Sequence, residues 1–463
     1  MIKVLIANII SLIFSLLTNF ILPKFLSDAA YAGIKTFQLY IMYVGLLHFG
    51  YEDGMYLKYG GKSIKQINTS ELENSIYTLS VFQLIVAMIT IIISLILNNY
   101  ILLAFSFAIL PVNIVAYYKL LFQAVGEFDK YGRIMNLTSI VTFLINSILV
   151  FIVKTDNCYL FIWLYVVWDL LLWFILNMYS KKLLRINNRK HQFSMVELKV
   201  NIKTGLPLTL GNLSSVLLTS IDRWFVKYLL TTVDFARYSF AVSTESFINV
   251  AITPITVTLY NYFCQHSEKE KIVTIRKVVL VFASFLVSCA FGAKFIIEHF
   301  LTKYEDSIIV LFVLFSAQIC FVPIKGVYVN LYKAQSKQNI YFRKLLFVVL
   351  FGIATNAIFY LLMKQKEVFA FTTLGSALFW LVTCVKDFKN IPMRINEWIY
   401  LLLSVIGFII CGVYFNSVIG FFLYMIVVCL LGILFMKNEL FYLFNIIKNS
   451  FRSLIYRLDK NTI

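Results

Sequence analysis

A handful of ionisable side chains stand inside otherwise apolar stretches of this chain, and they limit the chemistry it can do. On the orientation set by the Lys and Arg distribution, Glu245 and Asp169 fall near the middle of two apolar runs, and Asp222 and Arg223 adjoin in the outer third of a third. Lys325 and His48 lie near the inner ends of two more, and Lys24 and Lys35 frame the first outer turn. Charges in lipid-soluble segments are rare and costly, and by default they face a bundle interior or an aqueous cavity. A carboxyl far from water is suited to exchanging a proton or holding a cation, which makes Glu245, Asp169 and Asp222 candidates for ion coupling. Fixed cations in a low-dielectric cavity act strongly on an anion, so Arg223 with Lys24, Lys35 and Lys325 are candidates for holding an anionic ligand. Each has a plainer competing role. Asp222 and Arg223 point about 100° apart on a helix, so one of them can simply pair with a neighbour. The three lysines are close enough to an interface to snorkel, and His48 reads equally as a hydrogen-bonded packing residue.

Missing residues exclude other chemistry. There is no GxxxxGK[ST], HExxH or GxSxG, and no Asp/Glu cluster for metal-assisted glycosyl or phosphoryl transfer. No enzyme, cofactor or metal is therefore expected. The seven cysteines are odd in number and lack CxxC spacing, so neither disulfides nor a metal cluster are expected.

The elements that must position these residues follow from composition. Of 463 residues 60% are hydrophobic and only 14% charged. Soluble domains carry roughly 25% charged residues, so most of this surface faces lipid. Runs long enough to cross a bilayer, about 20 residues each, occur at 4–22, 36–51, 75–97, 101–121, 134–153, 158–178, 205–226, 236–260, 273–292, 307–328, 345–363, 368–385, 398–415 and 418–436. The expected fold is an all-α polytopic membrane protein of about 14 spans. Of the 41 Lys and Arg, 30 fall in alternate connections together with the termini. By the positive-inside rule both termini are then cytoplasmic, and the net charge of +18 records topology and no nucleic-acid partner. Lys3 and the run after it, Val4 to Leu22, resemble a secretory signal, but the run is long and lacks a cleavage site, so it is read as retained.

An internal repeat at an offset of 204 relates the start of the chain to the stretch after a basic linker. Asn8-Ile-Ile-Ser11 falls on Asn212-Leu-Ser-Ser215, Phe25-Leu-Ser27 on Leu229-Leu-Thr231, and Tyr31-Ala32 on Phe235-Ala236. The domain reading is an N-terminal six-helix lobe over 1–178, a basic cytoplasmic linker over 179–203, a pseudo-symmetric six-helix lobe over 204–386, and two extra spans with an amphipathic cytoplasmic tail over 387–463. Two such halves that expose a site alternately to each side are a transporter design. Asn8 and Asn212, equivalent in the repeat, are suited to hydrogen-bonding a ligand and equally to helix–helix contact.

At the inner end of span 2 the chain reads Gly45-Leu-Leu-His-Phe-Gly-Tyr-Glu-Asp-Gly-Met-Tyr-Leu-Lys-Tyr-Gly-Gly-Lys62. With Gly211-Asn-Leu-Ser-Ser215, Ile221-Asp-Arg-Trp-Phe225, Arg237-Tyr-Ser-Phe-Ala241 and Lys303-Tyr-Glu-Asp-Ser-Ile308, this resembles the polysaccharide (O-antigen type) flippase family of the multidrug/oligosaccharidyl-lipid/polysaccharide exporter superfamily. The resemblance covers the first twelve spans. Its outer turns depart from the family pattern, reading Asp28-Ala-Ala-Tyr-Ala-Gly33 and Asp234-Phe-Ala236, the second without its glycine.

The resemblance implies two six-helix lobes around a V-shaped cavity lined by spans 1, 2, 7 and 8, in a bacterial cytoplasmic (inner) membrane. It also implies a lipid-linked oligosaccharide substrate on a polyprenyl pyrophosphate carrier, an O-antigen or capsule repeat unit, moved in contact with membrane lipid. A polysaccharide polymerase and a chain-length regulator are candidate partners. On this reading Lys24, Lys35, His48, Arg223, Lys325, Asn8 and Asn212 contact substrate. Glu52, Asp53 and Lys58 form an inner gate, and Glu245, Asp169 or Asp222 couple an ion, with an uncoupled flip left open. A cation-coupled multidrug antiporter and a membrane-embedded polysaccharide polymerase are the alternatives.

Overall fold

The computed structural model describes the backbone of residues 2–60, 62–63, 66–183, 192–266, 268–335, 337–445 and 448, and somewhat fewer of their side chains. Helices and turns make up these residues, with no strand among them. Eleven of the helices are long and apolar enough to cross a membrane. The protein is a multi-pass membrane protein. The chain divides into two compact units, 1–220 and 221–463.

The first unit holds α1 (Ile2–Phe25), α2 (Asp28–Ile41), α3 (Tyr51–Tyr59), α4 (Thr69–Ile96), α5 (Tyr100–Ala124), α6 (Phe128–Ser147), α7 (Cys158–Leu183) and the first part of α8 (Met195–Leu229). Its core lies where α3 meets α5, with Tyr51, Met55, Tyr59, Tyr117, Tyr118 and Leu121 all buried. Only 22% of the apolar stretch of α4 is buried, so its remaining apolar surface is lipid-facing. Leu84, Ile85, Met88, Ile89 and Ile92 are among the side chains left bare for that solvent.

The second unit continues with α9 (Thr232–Glu245), α10 (Asn249–Gln265), α11 (Lys269–Leu286), α12 (Ala290–Phe300), α13 (Ile308–Pro323), α14 (Val329–Ala334), α15 (Gln338–Leu362), α16 (Lys366–Asp387), α17 (Ile395–Tyr414) and α18 (Ser417–Phe435). The stretch through α13 and α14 is its central post, with 89% of its apolar window buried. The last two spans are packed into this unit. Gly412 of α17 leaves room for the Phe312 ring of α13, and Tyr424 of α18 donates to the Ser284 carbonyl of α11 at 2.8 Å. Lys294 of α12 donates to the Gly412 carbonyl at 2.7 Å.

Three sequence expectations change. Span 2 is not one helix over 36–51: α2 begins at Asp28 and stops at Ile41, a 3-10 turn covers Val44–Leu46, and α3 starts at Tyr51. The break falls at Phe49 and Gly50, both with positive φ (51° and 94°), a conformation open to glycine because it has no Cβ. The outer turns are also shorter than expected. Asp28–Gly33 and Asp234–Ala236 are the first turns of α2 and α9, so the missing second glycine has no turn to make. Finally, the end of the basic 179–203 stretch is helix, since α8 starts at Met195. The amphipathic tail expected from Leu440 lies mostly outside the described residues.

The repeat is visible in element boundaries. At the offset of 204, α1 and α8 end on equivalent residues, Phe25 and Leu229, and α2 and α9 start on Asp28 and Thr232. The intervening N-caps are equivalent too: Ser27 accepts from the Ala30 amide at 3.2 Å and Thr231 from the Asp234 amide at 3.1 Å. The two second helices even break in register, at Ile41 and Glu245, each followed within a few residues by a 3-10 turn.

Candidate functional site

In the second unit the structure brings together the charged residues that the sequence scatters over spans 7, 8 and 10. Asp222, on α8, is 2% exposed and fully occupied. Its Oδ2 accepts from the Tyr238 hydroxyl at 2.6 Å and the Thr373 hydroxyl at 3.3 Å, and its Oδ1 from the Arg223 amide at 2.7 Å. Arg223 beside it is also buried. Glu245 is the last residue of α9, at the helix break, where Gln318 of α13 donates to its Oε1. Glu245 lies within electrostatic range of Lys325 first, and of Asp222 and Arg223 beyond it. Lys325 sits in the π-turn Ile324–Tyr328 that ends α13, with its ammonium over the Phe321 ring, 5.4 Å from its centre. The result is two acids and two bases around a helix interruption. Interrupted helices place polar groups and free backbone ends at membrane depth, a device transporters use to build sites.

The first unit holds a second arrangement. His48 Nδ1 accepts the Gly50 amide at 3.0 Å, which closes the break between α2 and α3, and its Nε2 lies 3.8 Å from Glu52 Oε2. Glu52 is 1% exposed, and its other oxygen has no hydrogen-bond partner among the described residues. Asp53 accepts from the Thr209 hydroxyl of α8. Lys58, nearer the surface, pairs with Glu71 of α4 at 2.6 Å and Glu197 of α8 at 3.6 Å. The three residues expected at a gate therefore share one joint of α3 with α4 and α8. Glycine makes that joint possible. A Cβ on Gly54 would lie 2.2 Å from the Asn201 carbonyl oxygen, and one on Gly205 would lie 2.3 Å from the Gly54 amide nitrogen.

The remaining candidates fall elsewhere. Lys35 is buried in α2 with its ammonium 5.1 Å from the Tyr31 ring centre, whereas Lys24 is exposed at the end of α1. Asp169 on α7 interacts with Lys119 on α5 and not with the other candidates' cluster. The side chains of Asn8 and Asn212 lie outside the described residues.

Sequence reasoning missed Tyr238, Gln318, Thr373, Thr209 and Lys119, neutral or loop-assigned residues whose role appears only through a charged neighbour. A signal did exist for the joint: Gly50 and Gly54 form a Gly-x-x-x-Gly spacing, which marks close helix contact in membranes. Elsewhere in the second unit, Arg237 and Lys366 form a further network. Lys366 reaches Asp306 at 2.9 Å, Glu367 at 3.3 Å and Asp234 at 3.6 Å, and Arg237 donates to Asp306.

No family model matches the sequence, and no curated protein matches it. Solved structures do match the fold. A structure of the lipid II flippase MurJ in an inward closed conformation superposes with a TM-score of 0.59 over 98% of this chain and 100% of that one, at 16% identity. A mutant of the Vibrio cholerae MATE transporter VcmN gives a TM-score of 0.50 over 84% of this chain and 94% of that one, at 13% identity. At such identities the likeness establishes the fold, which is that of these membrane transporters.

Proposed function

We propose that this protein is a flippase that moves a polyprenyl-pyrophosphate-linked oligosaccharide, an O-antigen or capsule repeat unit, across the bacterial cytoplasmic membrane by alternating access. The observation that carries the reading is the cluster at the α9 break, where Glu245 lies within electrostatic range of Lys325, Asp222 and Arg223 within one unit of a transporter fold. Arg223 and Lys325 supply fixed positive charge for pyrophosphate or acidic sugars, and Lys24 and Lys35 are the corresponding candidates within the first unit. On this reading Glu245 and Asp222 exchange an ion as the substrate moves. The fold is shared with a lipid II flippase over nearly the whole chain, which supports a lipid-linked cargo.

The same fold serves a MATE transporter. A cation-coupled antiporter calls for a cavity of net negative charge, and the balanced cluster favours the anionic cargo. Deletion of the gene in its host separates the two. The flippase reading expects lipid-linked repeat units to accumulate on the cytoplasmic face, with loss of surface glycan. Normal surface glycan with altered dye efflux would overturn it. Complementation by Arg223→Glu, with membrane insertion intact, is expected to fail.

A further inference from the structure

A cavity of about 280 Å³ opens between the start of α11, the end of α14 and the turn after α16. Its polar lining is lopsided. Lys269, Lys337 and Lys389 contribute three ammonium groups, and Gln335 and Asn390 two amides. The single acid, Asp387, is already engaged: Lys344 stands 3.0 Å from its Oδ1 and the Tyr332 hydroxyl donates to its Oδ2 at 2.6 Å. Among the described residues none of the three lysines has a carboxylate partner. Lys337 is held over the Phe388 ring at 5.3 Å, while Lys269 and Lys389 are exposed at the mouth.

The wall that carries Lys389 and Asn390 is fixed from behind. Arg276 of α11, 1% exposed, donates to the carbonyls of Ile391 and Pro392, the latter at 3.1 Å. Its other donors grip Glu397 of α17, also 1% exposed, at 2.7–3.1 Å. The Ile391 amide closes the turn on the Phe388 carbonyl at 2.9 Å. A buried ion pair of this kind is costly to desolvate, and its place here is to hold a five-residue turn rigid beside a cavity edged with lysines. Rigid placement lowers the cost of binding.

We propose that this cavity binds a phosphate-bearing anion, with the ammoniums of Lys269, Lys337 and Lys389 on the phosphate oxygens and the Gln335 and Asn390 amides beside them. Two sources share that chemistry: the headgroup of an anionic phospholipid and a soluble phosphate. Basic pockets between membrane helices recognise lipid headgroups by such groups. The site stands independently of the flippase reading, because it uses none of the residues of the α9 cluster.

The full-length protein in a neutral detergent tests it by thermal unfolding. Dioctanoyl phosphatidylglycerol, inorganic phosphate and dioctanoyl phosphatidylcholine are titrated against the wild type and against the triple variant Lys269→Ala/Lys337→Ala/Lys389→Ala. Each lysine near an anionic lipid contributes on the order of a tenfold factor or slightly less, so the triple variant is expected to bind about a hundredfold more weakly. Saturable stabilisation by phosphatidylglycerol that the variant loses, with no response to phosphatidylcholine, supports a lipid headgroup. Equal stabilisation by inorganic phosphate, lost in the same variant, supports the site with a soluble source. A variant that responds like the wild type, or a wild type that responds to neither anion, overturns the proposal. Should the triple variant not fold, Lys337→Gln/Lys389→Gln is expected to bind at least tenfold more weakly. Removing three exposed lysines elsewhere, Lys154, Lys364 and Lys437, is expected to leave the affinity unchanged; an equal loss there would show a diffuse charge effect and overturn the site.

Discussion

A methyl group added to Gly205 would lie 2.0 Å from the Gly50 carbonyl oxygen, so α3 and α8 meet backbone to backbone in the first unit. No rotamer change can relieve that approach, because the obstructing atom is main chain. Overpacking a well-fitted contact costs about 1–3 kcal/mol, and more when backbone must move. Gly205→Ala is therefore expected to lower the unfolding temperature of the purified protein and to abolish complementation. Gly375→Ala, on α16 with no atom within 4 Å of the added carbon, is the matched control and is expected to be neutral. Equal behaviour of the two variants would remove the joint from any role.

The Arg276–Glu397 pair gives a second expectation. Removing one partner leaves a buried, uncompensated charge, at about 3–5 kcal/mol. Arg276→Met and Glu397→Leu should each destabilise strongly in thermal unfolding, and the double variant should recover part of the loss. Recovery stays incomplete, since the Ile391 and Pro392 carbonyls lose their donor in either background. Additive losses in the cycle would show that the two side chains do not act as a pair.

Asp222 supports a third. Tyr238→Phe deletes one of its hydrogen bonds while Thr373 and the Arg223 amide keep theirs. A bond to a charged group contributes about 1.5–3 kcal/mol. A fall in stability within that range is expected, together with a loss of transport in reconstituted vesicles at temperatures where the variant is fully folded. Transport at the wild-type rate would make the Tyr238–Asp222 bond purely structural.

How much of this was legible beforehand depends on what carries the signal. The membrane class, the all-helical content and most spans follow from long apolar runs, because a bilayer imposes a fixed length on any helix that crosses it. The repeat could be read from residues as ordinary as Ser27 and Thr231, since both cap a helix and capping chemistry is local. The break in span 2 was hidden: Gly45 and Gly50 are tolerated in membrane helices, and a left-handed backbone at Phe49 has no side-chain signature. The partition of the charged residues was equally hidden. Spacing along the chain placed Glu245, Asp222 and Lys325 on three separate spans, and only tertiary packing brought them together while sending Asp169 to Lys119.

That packing leads to the last expectation, on Glu245 and Lys325. Glu245 ends α9 at the interruption and interacts most strongly with Lys325, and its Oε1 also takes the Gln318 amide. If the two charges offset each other, neutralising one strands the other in a poorly solvated place and lowers stability. Glu245→Gln and Lys325→Gln should then each reduce folded protein in the membrane, and Glu245→Gln/Lys325→Gln should restore it. Transport separates pairing from function. A double variant that folds normally and still moves lipid-linked sugar would make the pair a packing device. A double variant that folds but no longer transports, while Asp169→Asn transports normally, would locate ion coupling or substrate charge at the α9 break. Both quantities come from the same membranes, by quantifying folded protein with a fluorescent fusion and following lipid-linked sugar in complemented cells.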